Sequence, residues 1–70
     1  MRRALNPLEI QALTHAFNAA GALCVAADTG VGEQTVRRAL RGERLNGPTA
    51  RALVVYLQAW EGAQAHRLAA

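Results

Sequence analysis

Residues 22–41 place a small residue fifth, a glycine ninth and valines tenth and fifteenth in a twenty-residue unit: Ala26, Gly30, Val31 and Val36. Few folds ask for that spacing. Two helices crossing at roughly a right angle through a three- to four-residue turn need a small side chain where they approach and a residue free to take positive φ in the turn. Ala26 and Gly30 meet those needs, and Val25, Val31, Val36 and Leu40 supply apolar side chains to pack the corner against the rest of the chain. The unit reads as a helix-turn-helix.

Seventy residues bound the answer to one domain with a modest core. A single cysteine, Cys24, excludes an internal disulfide, and no group of Cys and His stands at metal-ligand spacing, so neither metal nor cofactor is expected. Self-association is the remaining aid to stability. A 51% apolar content with three large aromatics, Phe17, Tyr56 and Trp60, fits an all-α, compact four- to five-helix bundle. No apolar run approaches a membrane span, and Met1-Arg2-Arg3 leads into an amphipathic segment rather than a secretory core. The expectation is a soluble cytoplasmic protein with no membrane partner.

The net charge of +3 is unevenly spread. Residues 1–35 hold two Arg against Glu9, Asp28 and Glu33, whereas residues 36–70 hold six Arg against Glu43 and Glu61. Arg37, Arg38, Arg41, Arg44 and Arg51 fall within fifteen residues, and every Lys or Arg position is Arg. Arginine suits bidentate contacts to phosphate and guanine. The absence of Lys alone fits a GC-rich genome equally well, but the clustering does not follow from composition.

Asn6-Pro7-Leu8-Glu9 reads as a helix start, with Asn6 as cap, Pro7 at the first helical position and Glu9 closing a capping box. Ile10, Leu13, Phe17 and Ala20 then recur at helical spacing, and the helix should end between Asn18 and Gly21. Residues 1–6 read as a flexible arm. A second helix is expected from Ala22 to Asp28 or Thr29, Gly30-Val31-Gly32 as the turn, and a third helix from Glu33 to Leu40 or Arg41. Polar residues 41–47 form the longest loop, and Gly47-Pro48 opens a fourth helix that should end at Trp60 or Glu61, with Gly62 breaking or loosening it and residues 62–70 a tail or a short, frayed helix.

The fourth helix carries two apolar faces. Ala50, Leu53, Val54, Leu57 and Glu61 share one; Ala52, Val55, Tyr56, Ala59 and Trp60 share the other. A monomer of this size buries one such stripe readily, so Val55, Tyr56, Ala59 and Trp60 are the expected dimer interface, unless the helix is central and the second face covers the first helix. Leu53 to Leu57 also reads as a strand, but flanking Ala, Arg and Gln favour helix.

Taken together, Val25-Ala26-Ala27-Asp28-Thr29-Gly30-Val31 and Thr35-Val36-Arg37-Arg38-Ala39-Leu40-Arg41-Gly42 resemble the phage lambda repressor and Cro type of helix-turn-helix regulator, over residues 7–61. Residues 25–42 are also similar to the headpiece of lactose-repressor-type regulators, but that family opens directly on its helix-turn-helix, and here a helix precedes it. The resemblance implies a lambda repressor-like fold and double-stranded DNA as partner. Two positions depart from the family's habit: Ala22 stands where a polar residue touches phosphate, and Gly32 where Ser or Thr caps the third helix. The backbone N–H groups at both helix starts remain able to meet phosphate.

In this reading the third helix lies in the major groove, with Gly32, Glu33, Gln34, Arg37 and Arg38 toward base edges. Gln34 suits adenine, and Arg37 or Arg38 guanine. Glu33 either accepts from cytosine or only favours the helix dipole. Ala22 through its backbone, Thr35, Arg41, Arg44 and Arg51 are expected on phosphates, which set register rather than sequence. Cys24 reads as inert, and His15 and His66 stand apart without partners, so no catalytic group is expected.

The expected function is a transcriptional regulator, a repressor by promoter occupancy that binds an inverted repeat as a homodimer, with no small-molecule ligand. The alternative is a small helical interaction module, antitoxin-like or anti-repressor, that uses the apolar face of the fourth helix. A fold of this type without DNA binding is a third outcome.

Overall fold

The computed structural model describes the backbone of residues 2–69 and the side chains of residues 2–61. Its first helix, α1 (Pro7–Ala20), starts where local chemistry directs: Asn6 Oδ1 accepts from the Glu9 N–H at 2.8 Å, and Glu9 Oε1 accepts from the Asn6 N–H at 2.9 Å. This reciprocal pair satisfies two donors that a helix start otherwise leaves open. Gly21, at φ 90°, ends α1 and begins α2 (Ala22–Thr29), turning the chain by 115°.

Gly30, at φ 72°, closes α2 with its N–H on the Ala26 carbonyl at 2.9 Å. Thr29 locks the turn from the other side. Its hydroxyl donates to the Val25 carbonyl at 2.8 Å and accepts from the Val31 N–H at 3.1 Å. The next helix, α3 (Glu33–Leu40), ends in a Schellman turn: Gly42, at φ 79°, donates to the Ala39 carbonyl at 3.0 Å, and the Glu43 N–H to that of Arg38 at 3.2 Å. Asn46 then caps α4 (Gly47–Ala69) by accepting from the Thr49 N–H at 2.9 Å.

The fold is all-α, with α1 packed on α2, α3 and α4, and α2 on α3 and α4. Leu13, Val25, Val36 and Leu53 are fully buried, each worth about 1.5–3 kcal/mol of apolar transfer. Around them pack Leu5, Ala16, Val31, Ala39, Leu45, Ala50 and Leu57. On α1 the buried positions are Leu13 and Ala16, with Ile10 and Phe17 half-buried; Ala20, expected inside, is exposed because the chain turns away at Gly21.

Two expectations are corrected. Residues 2–6 are not a loose arm: Arg3 and Leu45 exchange both backbone hydrogen bonds at 2.8 Å, Leu5 is 4% exposed, and Arg3 Nη2 donates to both Glu9 carboxylate oxygens at 2.6 and 2.8 Å. The cause is apolar. Leu5 and Leu45 complete a core that the helices alone leave open. Nor does Gly62 stop α4, which continues to Ala69. One interior glycine costs about 1 kcal/mol, and the Ala, Gln, Arg and Leu around it are good helix formers. Side chains of residues 62–70 lie outside the described residues, as does the expected isolation of His66.

Candidate nucleic-acid interface

Helix α3 stands on α1 and α2 through Val36 and Ala39, both fully buried, with Leu40 half-buried beside them. Its other face is turned to solvent. Gly32, Gln34, Arg37, Arg38 and Arg41 are exposed there, while Glu33 and Thr35 are half-buried. The expected base-facing positions therefore share one accessible surface with Arg41. Ala22 is half-buried at the first turn of α2, where Gly21 offers no side-chain cap. The first N–H groups of α2 and α3 have no intrahelical acceptor, as at any helix start.

The arginines on this surface are not equivalent. Arg37 donates from Nη2 to Glu33 Oε1 at 2.8 Å and lies 5.3 Å from the centroid of the Phe17 ring. It is clamped to α1 by a cation–π contact and to its own helix by an i,i+4 pair. Glu33 is thus engaged by Arg37 in the first turn of α3.

Arg38 and Arg41 converge on one carboxylate. Arg38 Nε donates to Glu43 Oε1 at 3.2 Å and Arg41 Nε to Glu43 Oε2 at 2.9 Å. Those hydrogen bonds, Arg41 first and Arg38 second, hold the Glu43 carboxyl below its ordinary range. The residue is delivered there by the backbone, since Gly42 in the left-handed conformation reverses the chain at the end of α3. In the sequence Glu43 reads only as part of a polar loop. The available signal was Gly42 just past an arginine-bearing helix end, which places the following residue back over the last turn.

Behind this pair lies a polar hollow of about 190 Å³ lined by Arg2, Thr35, Arg38, Arg44, Asn46 and Thr49. Thr35 and Arg44, separated by nine positions, are thereby brought together with Arg38. Arg2 joins them because the Arg3–Leu45 pairing fixes the first residues beside the loop. Arg51 sits apart, lining a mainly apolar hollow with Arg3, Gly47, Ala50 and Val54.

The expected dimer residues divide. Val55 is 55% exposed and Ala59 is exposed, but Tyr56 and Trp60 are half-buried. Burial first, and then the negative charge of Asp28 on α2, raise the Tyr56 hydroxyl above its ordinary value. Trp60 borders a hollow with Leu8, Gln11, Ala12 and His15 of α1. Because α4 packs on both α1 and α2, part of its second face is used within the chain. Among the described residues, Leu8 and Leu23, at 76% and 79% exposure, are the other large apolar side chains left open.

Among the described residues, no cluster of three His, Cys, Asp or Glu stands ready for a metal ion, and no single helix is long and apolar enough to cross a membrane. No family model, curated protein or solved structure matches this chain.

Proposed function

We propose that the protein is a sequence-specific DNA-binding regulator of the lambda repressor and Cro type. One observation carries the reading: a short helix held on two others presents Gln34, Arg37 and Arg38 outward, with Arg41 beside them. Laid in a major groove, α3 brings Gln34 and Arg38 to base edges, while Arg41, Arg44 and Thr35 flank the backbone. The helix starts of α2 and α3 add N–H donors for phosphate, compensating for Ala22 and Gly32. Such a protein acts in the cytoplasm as a homodimer on an inverted repeat, and represses by occupying a promoter.

A second reading is favoured by the exposure of Leu8, Leu23 and Val55: a module that binds another protein through apolar helix faces. Salt separates the two. Contact through several arginines weakens steeply with ionic strength, by roughly 0.9 log unit of affinity per log unit of salt for each phosphate neutralised. Titration of a labelled random-sequence duplex at rising salt tests this directly. A steep slope that flattens in the Arg37→Ala/Arg38→Ala variant supports the DNA reading; undetectable binding at low salt rejects it.

A further inference from the structure

We infer that Glu43 is a positioning residue that aims Arg38 for base reading, and that Arg38 rather than Arg37 is the arginine that discriminates sequence. The inference rests on the DNA-binding reading above. A guanidinium has five N–H donors, and a bidentate contact to guanine uses two of them in a fixed fork. Glu43 engages Arg38 and Arg41 through Nε alone, at 3.2 and 2.9 Å, which leaves the terminal Nη groups of both side chains available for a second partner. Arg37 is in the opposite condition. Its Nη2 donates to Glu33 and its guanidinium carbon lies 5.3 Å from the Phe17 ring centroid, so a fork contact to a base through its two terminal nitrogens competes with Glu33 and draws the side chain off α1.

Three features fix the carboxylate itself. The Glu43 N–H is bound to the Arg38 carbonyl at 3.2 Å, Gly42 at φ 79° sets the reversal, and Arg41 holds the second carboxylate oxygen. An isolated exposed ion pair restrains little. Here Glu43 is tied at its backbone N–H and, through Arg41, at one carboxylate oxygen while the other receives Arg38, so the Arg38 side chain meets DNA with part of its rotamer freedom already removed. Glu43 also places a negative charge beside the phosphates. It therefore lowers affinity for any duplex while raising the difference between the right duplex and a wrong one.

The opposing account is a latch, in which DNA phosphate simply displaces Glu43 from the two arginines. The two accounts differ in the ratio of affinities. A duplex enriched from a random pool by the wild-type protein, and a random-sequence duplex of equal length, are titrated with wild type, Glu43→Gln, Arg38→Ala and the double variant. Positioning predicts that Glu43→Gln lowers the enriched-to-random ratio about tenfold, within the range of one bidentate base contact, while binding to random DNA is unchanged or tighter. It predicts no further loss of ratio when Glu43→Gln is added to Arg38→Ala. Equal tightening on both duplexes overturns the inference and leaves the DNA reading standing. Failure of the wild type to enrich any sequence removes both. Without DNA, nitrogen-15 spectra should show protected Arg38 and Arg41 Nε–H signals that Glu43→Gln returns to rapid solvent exchange; fast exchange of both in the wild type also overturns it.

Discussion

Arg38 and Arg41 share a carboxylate yet occupy different places, one on the outer face of α3 and one at its end. Arg38→Ala should cost about 1–3 kcal/mol on the preferred duplex and little on random DNA beyond one charge. Arg41→Ala should weaken both and reduce the salt slope by about 1, with an added, smaller loss on the preferred duplex because Glu43 then keeps only Arg38 as a side-chain partner. Anisotropy titrations on two duplexes at several salt concentrations check both outcomes. Glu9 makes a separate prediction, about stability. Chiefly the Arg3 hydrogen bond, and also that from the Asn6 N–H, lowers its carboxyl below 4.5. A carboxylate depressed in the folded state contributes stability that is fully present above its unfolded value and lost as pH falls through the folded one. Glu9→Gln should therefore destabilise the protein near neutrality, with the difference from wild type vanishing in acid, as read from urea unfolding across pH. The Asn6–Glu9 box was legible in the sequence because it spans four residues. The Arg3–Glu9 pair was not, since it depends on a docking that no periodicity reports, and the Arg38–Glu43 pair was signalled only by Gly42 past the end of α3.

At the scale of elements, the limits of α1, α2 and α3 were readable because Pro7, Gly21, Gly30 and Gly32 punctuate them. The glycines do unequal jobs. Gly30 sits at φ 72° with open space around it, so Gly30→Ala meets no clash and still should cost about 1–2 kcal/mol for the left-handed backbone. Gly32, at φ −60° and ψ 149°, has an ordinary N-cap conformation, and Gly32→Ser should leave stability unchanged or raise it by a few tenths of a kcal/mol. Thermal melts of the two variants should move in unequal or opposite senses. The end of α4 was not legible, because a lone glycine within good helix formers is a weak stop signal. Leu45 and Asn46 were also passed over, as the polar residues around them read as loop and only the folded chain shows one buried and the other capping.

For the whole molecule, the docked N-terminal segment changes the account most. Residues expected to be free are part of the core: Leu5 is 4% exposed and the Arg3–Leu45 pairing joins sequence positions far apart. A contact of that separation leaves no local pattern. Leu5→Ala should cost about 2–5 kcal/mol in urea unfolding, as a buried leucine does, whereas a loose arm would show almost no change. Docking also sets Arg2 beside Arg38, Arg44 and Thr35, so three arginines from the N-terminal segment, α3 and the loop after it line one polar hollow. Selection of bound fragments from a random DNA pool, by wild type and by Arg37→Ala/Arg38→Ala, separates a sequence reader from a helix-turn-helix without one. A dimeric sequence reader enriches an inverted repeat with half-site centres about 34 Å apart, and the variant loses it; no enrichment by the wild type at low salt rules out sequence-specific DNA binding.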